Sequence, residues 1–231
     1  MSRVYRREHP FVPYEPERLS PEEMAARARA FYTHLDRRRS VRHFRDDPVP
    51  RELIELAIRS AGTAPSGAHQ QPWTFVAVSD PATKARIREA AEAEEKRSYE
   101  SRMSQEWLEA IGPMGTDWQK PYLETVPWIV VLFAQSFGLD PDGTKRKHYY
   151  VPESCGIAAG MFITALHDMG LCTLTHTPSP MKFLGELLGR PANERATILF
   201  PIGYAADDAL VPDIERKPLD QIAVFVEGES D

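Results

Sequence analysis

Cysteine is scarce in this chain, with only Cys155 and Cys172 among 231 residues. A fold stapled by disulfides is therefore excluded, and a reducing cytoplasm is the expected setting. Long hydrophobic runs are missing too. The longest, Val126 to Ala134, suits a buried strand and falls well short of a membrane span. The N-terminus, Met1-Ser-Arg-Val-Tyr-Arg-Arg, is positively charged with no apolar stretch behind it, so no signal peptide is expected. There is no basic excess: 28 Lys and Arg face 34 Asp and Glu, for a formal charge of −6. That balance argues against a nucleic-acid surface. No two glycines stand two apart, so the dinucleotide fingerprint G-x-G-x-x-G cannot occur. The Walker loop, H-E-x-x-H, G-x-S-x-G and C-x-x-C are absent as well. The seven histidines are scattered without zinc-ligand spacing, and no metal site is expected.

What remains is ordinary for a globular protein: 42% hydrophobic and 27% charged residues, enough for one domain with a sizeable core. Residues 1–19 read as an extended arm, because Pro10, Pro13 and Pro16 block a helix. Ser20-Pro-Glu-Glu23 is a helix start with a capping box, and that helix should run towards Arg37. Further helices are predicted at about 50–60, 81–111, 116–124, 153–169 and 180–188. Strands are predicted at 73–78, 127–134, 171–175, 197–202 and 222–226. The alternation of elements suggests α/β or α+β architecture, with residues 20–231 as a single domain.

Three constellations carry chemistry. The first is Arg37-Arg-Arg-Ser-Val-Arg42 at the end of the first helix. In an extended segment Arg38, Ser40 and Arg42 project to one side and suit a phosphate and a sugar chain; a solvated helix C-terminus is the alternative. The second is Ala64-Pro-Ser-Gly-Ala-His-Gln-Gln-Pro72, a rigid loop whose exposed N–H groups can face a planar or anionic ligand, or a plain helix-to-strand connection. The third is Glu95 and Tyr99, four apart on one helix face, with Lys120 beyond the Gly112-Pro-Met-Gly115 break. If the chain folds back there, the three side chains could bind an amino acid's ammonium and carboxylate; otherwise they belong to a solvated helix face. Gly156 and Gly160 share a face of an apolar helix and suit either a close subunit contact or core packing. Thr173, Thr175 and Thr177 alternate in a strand, through β-propensity alone or to present a hydroxyl to a ligand. The two cysteines read as small buried hydrophobes.

Taken in order, these segments resemble the FMN-dependent nitroreductase superfamily, and within it the iodotyrosine deiodinase branch. The resemblance rests on Arg38-Arg-Ser-Val-Arg42, Ala61-Gly-Thr-Ala-Pro-Ser-Gly-Ala-His69, Pro72-Trp-Thr-Phe75 and Glu95 with Tyr99. It continues through Trp118-Gln-Lys120, His148-Tyr-Tyr150, Leu188-Gly-Arg-Pro191 and Val211-Pro-Asp-Ile-Glu-Arg-Lys-Pro-Leu-Asp-Gln-Ile222. It spans roughly residues 30–226.

The resemblance implies an α+β nitroreductase-like fold, with a central, mostly antiparallel sheet flanked by helices in an intertwined homodimer. A lid at about 92–124 and a partner-embracing segment at about 205–231 come with it. FMN would be held by Arg38, Arg39, Ser40, Val41, Arg42 and Arg216. Ser66 and the segment Thr175-His176-Thr177 would lie along the ring, with Thr177 as the catalytic hydroxyl at flavin N5. Ala68 would offer its N–H to a substrate phenolate, and Glu95, Tyr99 and Lys120 would grip the zwitterion. The implied reaction is reductive dehalogenation of halotyrosine, favouring one-electron steps over hydride transfer, with NAD(P)H or a reductase as electron donor. A nitro- or quinone reductase, or a non-catalytic halotyrosine- or flavin-binding protein, is the alternative. Animal members carry an N-terminal membrane anchor that this sequence lacks, so the chain is expected to be cytoplasmic. His176 stands where the family pattern leads one to expect threonine.

Overall fold

The computed structural model describes residue 9 and residues 11–228. Residues 1–8 and 10 of the predicted 1–19 arm and the last three residues lie outside the described part; residues 11–19 carry no regular structure. The chain falls into two compact units, one ending at Arg38 and the other beginning at Arg39.

The first unit holds α1 (Pro21–Asp36). Its start is the capping box read from the sequence. Ser20 Oγ accepts from the Glu23 N–H at 3.2 Å, and the Ser20 N–H donates to Glu23 Oε2 at 2.9 Å. Two otherwise orphaned donors are satisfied in this way. None of the α1 residues is buried.

The second unit is built on a four-stranded antiparallel sheet in the order β1 (Trp73–Val78), β2 (Trp128–Gln135), β6 (Glu194–Gly203), β5 (Cys172–Thr173). Its centre is β2, where Ile129 to Phe133 are fully buried. Alternate residues of a strand face opposite ways, and here both faces are covered. Ile129, Val131 and Phe133 pack with Ile87 and Ala91 of α3 (Pro81–Arg97), Leu123 of α5 (Tyr122–Thr125) and Leu184 of α7 (Lys182–Leu187). Val130 and Leu132 pack with Ile54 and Ala57 of α2 (Arg51–Gly62) and with Phe162 and Leu166 of α6 (Val151–Asp168). This is the α+β architecture that the sequence implies.

Several boundaries differ from the sequence reading. The single helix expected over 81–111 is interrupted. After α3 come a π turn at Ser98–Arg102 and an extended Met103, and then Ser104 caps α4 (Gln105–Ile111) by accepting from the Trp107 N–H at 3.2 Å. The helix expected over 116–124 shrinks to α5, because Lys120 is occupied elsewhere and Pro121 begins the turn. A short hairpin, β3 (Phe137–Leu139) with β4 (Lys145–Lys147), lacks strong apolar alternation and was missed. The strand expected at 222–226 is not one: no residue there joins a ladder, and Ile222, Val224 and Val226 are exposed. β-propensity needs a strand edge to pair with, and among the described residues these pair with no strand and stay irregular. The stop at Gly170 is as read, with φ +77°.

Candidate active site

The basic segment runs extended from Arg39. Ser40 bridges Thr173 in parallel, and the Val41 N–H donates to the Thr173 carbonyl at 3.3 Å. Burial of Val41 and Phe44 pins this stretch to the core, so the residues between them have little freedom. Arg39 donates to the Pro212 carbonyl, tying the segment to the C-terminal stretch. The Arg42 guanidinium lies close enough to influence Tyr99, Tyr122 and His176 electrostatically. Its Nε is buried without a hydrogen-bond partner among the described residues. Arg38 belongs to the N-terminal unit. Arg216 is exposed in the irregular C-terminal segment.

The loop at 64–72 is strained. Ala68, His69 and Gln71 take φ values of 49°, 53° and 48°, each costing an L-residue about 1–2 kcal/mol. The surroundings hold these values in place. Ser66 Oγ accepts from the Gln71 N–H at 2.9 Å. The Gln70 amide donates to the Lys147 carbonyl at 2.7 Å and accepts from the Tyr149 N–H at 2.9 Å. Gly67 leaves no room for a side chain, since a Cβ there would lie 2.5 Å from the Tyr149 carbonyl oxygen. Strain of this kind clusters at functional sites, and here Ala68 is an exposed residue.

Glu95, Tyr99 and Lys120 converge. Lys120 Nζ lies 3.2 Å from Glu95 Oε2 and 5.9 Å from the centre of the Tyr99 ring. Lys120 also donates to Thr116 Oγ1 at 3.1 Å and to the Asp117 carbonyl, while the Tyr99 hydroxyl donates to the Thr116 carbonyl at 3.3 Å. The two charges are deeply buried, their side chains only 13% and 3% exposed for Glu95 and Lys120. Burial alone would raise the Glu95 carboxyl. The hydrogen bond from His176 and the charge of Lys120 outweigh that and hold it below the usual carboxylate range.

In the segment 175–177 the side chains divide. Thr175 and Thr177 are exposed, whereas His176 is buried. The His176 imidazole turns inward, and its Nε2 lies 3.0 Å from Glu95 Oε1. Despite the carboxylate beside it, burial depresses its basicity, which favours the neutral imidazole. This contact, the Gln70 clamp and the buried Tyr122 beside His176 were missed from the sequence. Strand parity separates Thr175 and Thr177 from His176 but does not say which face meets Glu95. Burial pushes the Cys155 thiol up to about 11, which makes it inert, in keeping with its reading as a core residue. A separate cavity of about 700 Å³, lined by residues including Ser179, Arg190 and Asn193, contains none of the predicted site residues.

Comparison with known proteins bears on this geometry. The nitroreductase family profile matches residues 35–204. An iodotyrosine deiodinase of Haliscomenobacter hydrossis is 54% identical, over 94% of this chain and 96% of that protein.

The chain belongs to the nitroreductase family, in its iodotyrosine deiodinase branch.

Within that family, iodotyrosine deiodinase 1 of Homo sapiens is 45% identical, over 93% of this chain and 75% of the human protein. A solved iodotyrosine deiodinase bound to FMN and 3-iodo-L-tyrosine superposes with a TM-score of 0.70 at 28% identity, covering 87% of this chain and all of that one. The FMN-dependent nitroreductase NfnB of Mycobacterium smegmatis shares the nitroreductase fold, with a TM-score of 0.66 at 23% identity over 87% of this chain and 99% of that one. Among the described residues of this family member, no helix is long and apolar enough to cross a membrane.

Proposed function

We propose that this chain is an FMN-dependent reductive dehalogenase of halotyrosines, taking iodotyrosine to tyrosine and iodide. The observation that carries the reading is the buried Glu95–Lys120 pair with Tyr99 against it. One anion and one cation, already desolvated together, match the ammonium and carboxylate of an amino acid. A nitroaromatic or a quinone has no use for them. The 54% identity to a bacterial iodotyrosine deiodinase supports the same substrate class.

The residues present fit FMN. The orphaned, buried Arg42 Nε calls for an acceptor. Arg38, Arg39, Ser40 and Arg42 would hold the phosphate and ribityl chain with the Val41 backbone, and Arg216 would join them. Ser66, Thr175 and Thr177 would line the ring, with the Thr177 hydroxyl at N5 and His176 contributing through its main chain. Once bound and reduced, FMN supplies the two electrons that, with one proton, replace the carbon–halogen bond by carbon–hydrogen and release halide. The Ala68 N–H holds the phenolate oxygen. Glu95 takes the ammonium and Lys120 the carboxylate, so the substrate exchanges two like-for-like contacts with the resting pair. The segment carrying them excludes water, which strengthens every charge contact inside it.

The working unit in this reading is a homodimer, with residues 20–231 as one functional domain. The lid is about 92–124, and the segment from about 205 embraces the partner. The exposed Ile157 between Gly156 and Gly160, and the exposed apolar Leu219, Ile222 and Phe225, support this. Free Cys155 and Cys172 favour a cytoplasmic setting. NAD(P)H or a reductase would supply electrons. The test is anaerobic: dithionite-reduced holoprotein mixed with iodotyrosine should yield stoichiometric iodide and tyrosine. Reduction of nitroaromatics or quinones without iodide release would make a plain nitroreductase the better reading. Iodotyrosine binding without turnover would leave only a binding protein.

A further inference from the structure

We infer that His176 positions Glu95 for the substrate: anchored in the sheet, it fixes one carboxylate oxygen of the lid and leaves the other for the ligand's ammonium group. The inference rests on the zwitterion-binding reading above and adds to it a residue on a different element.

The anchor is rigid. The His176 N–H donates to the Leu199 carbonyl and the Leu199 N–H to the His176 carbonyl, both at 2.9 Å. Leu199 lies in the central part of β6 and is fully buried. The Tyr122 ring meets the imidazole edge-on, with centroids 6.1 Å apart. Glu95 is less well fixed by its own element. It sits three residues before the Ser98–Arg102 π turn, beyond which the chain leaves the helix. A long acidic side chain at such a place gains most from an outside tether.

The two oxygens of Glu95 are divided between partners. Oε1 faces His176 Nε2 at 3.0 Å, and Oε2 faces Lys120 Nζ at 3.2 Å. An incoming ammonium can therefore replace Lys120 at Oε2 while Oε1 stays bonded. Lys120 is released towards the substrate carboxylate. A neutral imidazole donating through Nε2 adds no charge, so the site keeps the one anion and one cation that a zwitterion needs.

The choice of histidine also has a cost that packing does not explain. The His176 Nδ1 is buried with no hydrogen-bond partner among the described residues. An apolar residue would fill the same volume without it. Nor does the side chain share the exposed side of Thr175 and Thr177.

The test uses the full-length holoprotein, with His176→Gln, which keeps an N–H donor, and His176→Leu, which keeps only volume. Flavin-fluorescence titration with 3-iodotyrosine and with 2-iodophenol gives the two affinities. Hydrogen exchange across residues 92–102, without substrate, reports how firmly the lid carboxylate's helix is held. His176→Leu is expected to weaken iodotyrosine binding roughly ten- to a hundredfold, as for loss of a hydrogen bond to a charged group. It should also speed exchange at 92–102 and leave FMN content and iodophenol affinity alone. His176→Gln should recover most of both losses. Unchanged iodotyrosine affinity in His176→Leu, equal losses for both ligands, glutamine no better than leucine, or loss of FMN in both variants would each overturn the inference. A wild-type protein with no preference for iodotyrosine over iodophenol would overturn the zwitterion reading, and this inference with it.

Discussion

Glu95 and Lys120 are held as a pair inside the protein, where an ion pair stands or falls on its full complement of partners. With Glu95 bonded to Lys120 and His176, and Lys120 also bonded to Thr116 and Asp117, neither charge is left alone. Removing one partner leaves the other buried and uncompensated, which costs about 2–5 kcal/mol. Glu95→Gln and Lys120→Ala should therefore cut iodotyrosine affinity by that amount in flavin-fluorescence titrations, with iodophenol affinity and FMN content nearly unchanged. Equal losses for both ligands would mean that the pair only supports the fold. The same side chains set a pH dependence. His176 is faced by Glu95, Lys120, Arg42 and Tyr122, and burial depresses its folded-state pKa below the ordinary 6.5. The unfolded chain then binds the proton first, so the His176 contribution to stability is complete above about pH 6.5 and is lost as pH falls below it. Glu95, lowered from 4.5, acts in the same direction at lower pH. Thermal midpoints of the holoprotein should hold steady from pH 8 to 6.5 and then fall. In His176→Gln the fall should begin only in the carboxylate range. The spacing of Glu95, Tyr99 and Lys120 was legible in the sequence, but it left a solvated helix face as the alternative, and it was the family resemblance that favoured their convergence. The His176 contact was not legible, because it joins residues 81 positions apart through the sheet.

At the level of elements, helix ends and the central strands were readable because their signals are local. Ser20 with Glu23 marks a start, Gly170 a stop, and Val130 to Phe133 a run that only a doubly covered strand can bury. The helix over 81–111 was misjudged because charge content marks helix propensity but not the π turn at Ser98–Arg102 that breaks it. The loop at 64–72 was recognised as rigid, yet its strain lies in backbone angles at Ala68, His69 and Gln71 that residue type does not reveal. Its hinge is Gly67, whose missing side chain lets the loop lie on the Tyr149 carbonyl. In Gly67→Ala a methyl group would meet backbone at 2.5 Å, so the loop must move. The expected cost is about 1–3 kcal/mol of stability, read as a lower urea midpoint. Weaker iodotyrosine and iodophenol binding should come with it, since the Ala68 N–H moves too. An unchanged midpoint with unchanged affinities would show that the loop has room that the packing denies.

At the scale of the whole molecule, the face of α6 that looks away from the core poses a question of sign. Cys155, Ala159, Phe162 and Leu166 are buried against β2 and β6, while Gly156, Ile157 and Gly160 are exposed on the opposite stripe. A Cβ at Gly156 or Gly160 meets nothing within 4 Å in the single chain. If the chain worked alone, replacing Gly160 would relieve the helix of a poor helix former and stabilise it by up to about 1 kcal/mol. If a second copy packs its own helix on this stripe, the glycines are what allow close approach, and a larger side chain wedges the two apart. The exposed apolar Leu219, Ile222, Val224 and Phe225 favour the second case, because lone chains rarely leave that much apolar surface uncovered. In that case a partner chain would also supply the neighbour that these residues lack within the described chain. The expected outcome is that wild-type holoprotein sediments as a dimer and Gly160→Leu shifts towards monomer, with a lower thermal midpoint and easier loss of FMN. Gly160→Ala should fall between the two. A wild-type monomer that retains flavin, or a Gly160→Leu protein more stable than wild type, would assign the stripe to solvent and remove the dimer from the functional reading.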